Sequence, residues 1–158
     1  MERDQLTPRR ERPWMIGAVL AACFVPGLAS ATLGGTEQSV EVDRQHLGGA
    51  GSVSNEALYR VHALQLPSGT IVREFVAADG TVFAVAWRGP LMPDLRQTLG
   101  QYFAPYAAAA KARKAGRHRV EVSQSDLVVQ SGGHMRAFAG RAYLPSAVPA
   151  GVALEALR

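Results

Sequence analysis

The chain has 158 residues, 47% hydrophobic and 19% charged, with 17 Lys and Arg against 13 Asp and Glu. That composition suits one globular domain, too apolar to be disordered throughout and too short for a barrel enzyme of about 250 residues. A formal net charge of +4 falls short of a charge-dominated nucleic-acid binder, and one cysteine allows neither an internal disulfide nor a cysteine-based zinc site.

Residues 1–31 have the composition of a signal peptide. Arg3, Arg9, Arg10 and Arg12 form a basic head that Glu2, Asp4 and Glu11 partly offset. An uncharged, mainly apolar run over residues 14–31 follows, and Ala29-Ser30-Ala31 closes it. Basic head, apolar middle and small-residue end are the parts of a secretory signal. The run is shorter and richer in Ala and Gly than a membrane span of about 20 residues. Cleavage after Ala31 is expected to release a soluble chain into the periplasm or medium. Leu20-Ala21-Ala22-Cys23 also resembles a lipobox, in which acylated Cys23 would tether the chain to a membrane. Arg9-Arg10 is flanked by Pro8 and Glu11, which makes a poor twin-arginine signal. A chain beginning at Thr32 has no cysteine, so thiol catalysis and thiolate metal binding are excluded for it.

Residues 32–55 are rich in Gly, Ser and Thr and read as a linker. Within them, residues 36–45 are expected to form a short surface helix capped by Thr36 and ended by Gly48-Gly49. A single domain is expected over residues 56–158. Tyr59, Val61 and Ala63 alternate with Arg60, His62 and Leu64, the pattern of a half-buried strand. Residues 59–66 are a candidate sheet edge, open to another chain. Pro67-Ser68-Gly69 turns the chain into a second strand over residues 70–76. Asp79-Gly80 signals a hairpin, with Phe75 and Phe83 as cross-strand partners on either side of it. Residues 81–87 are apolar on both faces and should sit centrally.

Pro93 suits the first helical position and Asp94 the positive end of the dipole. Leu95, Leu99, Tyr102, Phe103 and Tyr106 form one apolar stripe to cover the sheet. Pro105 is expected to kink or restart this helix before it runs on through residues 107–115 to Gly116. Residues 120–123 form a short strand. Residues 127–130 and 135–144 flank Ser131-Gly132-Gly133-His134, which reads as a tight hairpin turn. Gly140 marks a bulge or a close packing contact, and residues 152–157 form a tail that docks on the surface. The fold class is α+β with a mainly antiparallel sheet: a three-stranded meander, one kinked helix and a C-terminal hairpin.

Several of these runs together resemble one family. They are Leu33-Gly34-Gly35, Ser68-Gly69-Thr70-Ile71-Val72-Arg73-Glu74-Phe75 and Val82-Phe83-Ala84-Val85-Ala86-Trp87-Arg88-Gly89-Pro90. Pro93-Asp94-Leu95 through Leu99-Gly100-Gln101-Tyr102-Phe103 and Ser131-Gly132-Gly133-His134-Met135-Arg136-Ala137-Phe138 complete the set. The chain is similar over residues 32–153 to an exported Gram-negative family known only as domain of unknown function 2844. The resemblance implies export and a single small domain. It brings no activity, cofactor or catalytic residue.

Ser131 and His134 are the candidates for a nucleophile and base. The run lacks G-x-S-x-G and any phosphate loop, and a hairpin explains its glycines on geometry alone. His46, His62, His118 and His134 show no metal-ligand spacing, so no metal and no cofactor are expected. Paired-carboxylate chemistry would draw on Glu74, Asp79, Asp94, Glu121 and Asp126. Asp79 and Asp94 already have turn and helix-start roles, and Arg73 points away from neighbouring Glu74. Lys111, Arg113, Lys114, Arg117 and Arg119 form a basic cluster suited to an anionic envelope polymer, a phospholipid headgroup or nucleic acid, the last not expected as a physiological target of an exported chain, although cations at a helix C-terminus also offset its dipole. The leading expectation is a non-enzymatic exported domain binding another envelope protein or an anionic surface. The alternatives are a small hydrolase or ligand-binding enzyme using Ser131 and His134, or a structural lipoprotein tethered at Cys23.

Overall fold

The computed structural model describes residues 33–48, 50–112, 119–124 and 126–158. Residues 1–31, expected to be a signal peptide and holding Cys23, and Arg113, Lys114, Arg117 and His118 of the basic segment, lie outside them. The described elements are α1 (Glu37–Leu47), β1 (Ala50–Asn55), β2 (Tyr59–Gln65), β3 (Ile71–Ala77), β4 (Val82–Gly89), α2 (Leu95–Leu99), α3 (Phe103–Lys111), β5 (Arg119–Gln124), β6 (Leu127–His134) and β7 (Ala137–Tyr143). The strands make one antiparallel sheet in the order β1-β2-β3-β4-β7-β6-β5. Its centre is β4, where Val82 through Trp87 are all buried, as an apolar pattern on both faces requires.

Two expectations about how the strands group are corrected. The first meander has four strands, because residues 50–55 of the supposed linker pair with β2 from Ala50↔Gln65 to Asn55↔Arg60. Residues 59–66 are therefore interior, and β1 takes the edge. The C-terminal unit is a three-stranded meander, with β5 pairing β6 and β6 pairing β7. Residues 33–36 are also stitched in: Gly34 N donates to Val82 O at 2.8 Å, Val82 N donates to Gly35 O at 2.9 Å, and Leu33 is 1% exposed. Thr36 sits at the N-cap of α1 but its side chain makes no capping bond; its backbone bridges Thr81 instead.

Alternation divides the sheet into two differently covered faces. The helices cover the first, where Val72, Val76, Val85 and Trp87 pack with Leu95, Leu99 and Tyr106 of the expected stripe. Asp94 caps α2, accepting from the backbone N–H groups of Arg96 and Gln97, so the helix starts at Leu95 and not at Pro93. The break falls at Gly100 (φ 50), where a 3₁₀ turn over Gly100–Tyr102 separates α2 from α3. Of the two outcomes expected at Pro105, the helix restarts: Pro105 lies in the first turn of α3, where its missing N–H has no intrahelical partner to lose. The helix stops at Lys111, short of the expected Gly116.

The C-terminal tail covers part of the second face. Leu157 is fully buried in a cluster with Phe75, Phe83, Ala86 and Tyr143. Phe75 and Phe83 do meet, with ring centroids 6.2 Å apart, and Tyr59 packs on both at 5.9 Å. The formal register pairs Phe75 with Ala84, and the shift between Phe75 and Val76 brings Phe83 onto the same side.

Candidate functional site

The second face is bare between the tail and β5, and there it forms an open groove of about 1270 Å³. Register builds it from two rows of side chains. One row runs Arg73, Ala86, Arg141, Gln130, Glu121 across five strands. Arg141 Nε donates to Gln130 Oε1 at 2.9 Å, and Gln130 Nε2 donates to Glu121 Oε1 at 3.3 Å. The next row runs Ile71, Arg88, Ala139, Gly132, and the backbone register continues to Arg119. Its middle carries only a methyl group and a hydrogen, which is what leaves the trough. At about 4.8 Å per strand, β4 and β5 stand roughly 14 Å apart across it.

The tail forms the other wall, with Glu155, Leu157 and Arg158 lining the groove. Two groove arginines pin it: Arg73 Nη1 donates to Arg158 O at 2.8 Å, and Arg141 Nη1 donates to Leu154 O. Arg73 thus has the partner that Glu74 could not provide. Arg88 is different. It is exposed, and among the described residues no hydrogen bond or ion pair engages its side chain.

Ser131-Gly132-Gly133-His134 is not a turn. Strand β6 runs through it to His134, and the chain reverses at Met135-Arg136, where Arg136 takes φ 63. Gly133 serves close approach: a Cβ there would stand 2.5 Å from Ala137 O. In an extended strand, residues three apart leave by opposite faces. Ser131 is therefore buried on the helix side, 4% exposed, while His134 lies exposed at the end of the groove. The two do not form a nucleophile–base pair.

The expected carboxylates are occupied separately. Asp79 accepts from Thr81 N at 2.9 Å, which holds its pKa below the ordinary value. Asp126 accepts from the Ser146 hydroxyl and backbone N–H, which lower its pKa likewise. Glu74 is 1% exposed on the helix side, in register with His62. Among the described residues no group of three His, Cys, Asp or Glu could hold a metal ion. Nor is any described helix long and apolar enough to cross a membrane.

Of the basic cluster, Lys111 is exposed at the end of α3, and Arg119 stands in register with Gly132 of the groove floor. Sequence reasoning missed Arg88 and Arg141, whose only signal is a cation within an apolar strand pattern. It also missed a second charged group, on the helix side. There Glu37 of α1 accepts from Arg60 Nε at 2.8 Å and contacts His62 Nε2 at 3.0 Å.

Residues 29–157 match the model of a family described as a protein of unknown function (DUF2844). The chain belongs to that family. No curated protein matches the chain, and no solved structure does. Membership in DUF2844 leaves the reading of the groove to its own chemistry.

Proposed function

We propose that the chain is an exported, non-enzymatic binding domain whose groove takes an acidic segment of a partner envelope protein. The observation that carries this is the row of Arg88, Ala139 and Gly132 beside that of Arg73 and Arg141: cations at the rim, small residues in the floor. A walled trough admits a narrow extended chain and excludes a flat lipid surface, so a polypeptide fits it better than a membrane does. Arg73 and Arg141 stiffen the tail wall, and Arg88 has its donors free for an incoming carboxylate. Export is supported by the head, apolar run and Ala29-Ser30-Ala31 ending of residues 1–31.

The test is fluorescence anisotropy of a labelled hexaglutamate peptide titrated with the full chain, beside co-sedimentation with phosphatidylglycerol vesicles. Weak, salt-sensitive peptide binding is expected. Arg88→Glu exchanges an attraction for a repulsion, so affinity should fall by about tenfold, or about 1.4 kcal/mol. Lys111→Glu, on α3 away from the groove, should leave it unchanged. Peptide binding that ignores Arg88→Glu would overturn the reading. Vesicle binding without peptide binding would replace the protein partner with a membrane surface.

A further inference from the structure

Beyond the groove, the sheet has an open edge at β1. Among the described residues nothing pairs with the outer side of β1. All six of its residues are exposed, and Ala-Gly-Ser-Val-Ser-Asn contains no charge and no proline. Sheet edges are ordinarily guarded by such residues. The opposite edge, β5, carries the charged residues Arg119 and Glu121 in its sequence.

The backbone phase of β1 follows from one bond. Glu56 N donates to Tyr59 O at 2.9 Å, just beyond the Asn55↔Arg60 pair. Hydrogen-bonded pairs alternate in an antiparallel ladder. Ser54, Ser52 and Ala50 therefore turn their N–H and C=O groups toward β2. Gly51, Val53 and Asn55 turn theirs outward. These outward residues are spaced symmetrically about Val53. A second copy laid antiparallel, with a two-fold axis at Val53, pairs Val53 with Val53 and Gly51 with Asn55 twice. Every outward donor then meets an outward acceptor. The two Val53 side chains, each 57% exposed, meet on one face.

We infer that two copies of this chain dimerise through β1, joining their sheets into one. The interface is isologous, as a two-fold axis demands. A six-residue edge falls below the roughly 1,200 Å² of stable interfaces, so the dimer is weak and reversible.

The experiment is sedimentation equilibrium of the full chain from about 10 μM to 1 mM, a range that brackets a Kd on the order of 0.1 mM. The average mass should rise with concentration toward twice the monomer. The amides of Gly51, Val53 and Asn55 should gain hydrogen-exchange protection over the same range, while those of Ser52 and Ser54 stay unchanged. Val53→Pro removes an outward N–H and no bond to β2, so it should remain a folded monomer. If that variant does not fold, Val53→Lys decides: it keeps the donor and sets like charges opposite each other, weakening the dimer at least about tenfold. A wild-type chain still monomeric at about 1 mM overturns the inference, and is the result expected if residues 1–32 or a foreign strand hold this edge. A dimer that survives Val53→Pro or Val53→Lys overturns it as well.

Discussion

Gly140→Ala tests the packing on which the central strands depend. A Cβ at Gly140 would stand 2.3 Å from Trp87 Cζ2, 2.5 Å from Cε2 and 2.9 Å from Gln130 O. Carbon atoms pack best at about 3.5–4.0 Å, so the ring must move by more than 1 Å or the strands must part. Trp87 is 2% exposed on the central strand and has no room to do so. Overpacking of this kind costs about 3 kcal/mol. The reduced freedom of the unfolded chain returns roughly 0.4–1 kcal/mol, leaving a net loss of about 2 kcal/mol. That corresponds to a urea midpoint lower by about 1 M, followed by far-UV circular dichroism. The companion variant is Trp87→Phe, which removes the benzo ring. The indole N–H is buried without a hydrogen-bond partner among the described residues, so the exchange loses no bond. The double variant should be more stable than the sum of the singles by at least about 1 kcal/mol. A neutral or stabilising Gly140→Ala, or an additive cycle, would refute the argument that the glycine exists to admit the tryptophan.

Two further outcomes follow from the charge and tail contacts. The Glu37 carboxyl is held below its ordinary value of 4.5 chiefly by its hydrogen bond from Arg60, with His62 adding to the effect. A lowered folded-state pKa contributes stability above the unfolded value and loses it as pH falls through the folded one. The melting-temperature gap between wild type and Glu37→Gln should therefore be widest near neutrality and close below about pH 4; a gap independent of pH would rule the ionised pair out. Leu157→Ala empties a fully buried site on the aromatic cluster and should cost about 2–4 kcal/mol. Limited proteolysis should then cut within residues 145–158, and a wild-type melting temperature would show that the tail contributes no burial.

The parts of the fold that were legible are those encoded by neighbours along the chain. The apolar run of β4 places it centrally wherever its partners come from. Asp79-Gly80 makes its turn from local backbone preference, with Gly80 at φ 86. The stripe from Leu95 to Tyr106 survives the break at Gly100 because the 3₁₀ turn keeps the same side inward. Strand β1 was illegible because it buries no side chain: its six exposed residues are held by the ladder to β2, which has no hydropathy signature. Gly132-Gly133 misled because glycine serves both turns and close approach. Only the path of β7, which brings Ala137 O against Gly133, decides between them.

The sequence by itself determined the burial pattern, the central strand, the helix that covers one face and the tail that docks. Each depends on periodicity or on a residue's own conformational preference, which travel with the chain. Only the tertiary structure decided the groove. Arg73, Arg88 and Arg141 come from three strands, and nothing local relates them. They share one wall-and-floor arrangement because antiparallel register sets Arg73 and Arg141 in one row, with Ala86 between them, and Arg88 in the next, beside Ala139 and Gly132. Register is a pairing between distant segments. A slip of one residue would turn these arginines to the helix side, so burial of the core on that side is what fixes them in the groove.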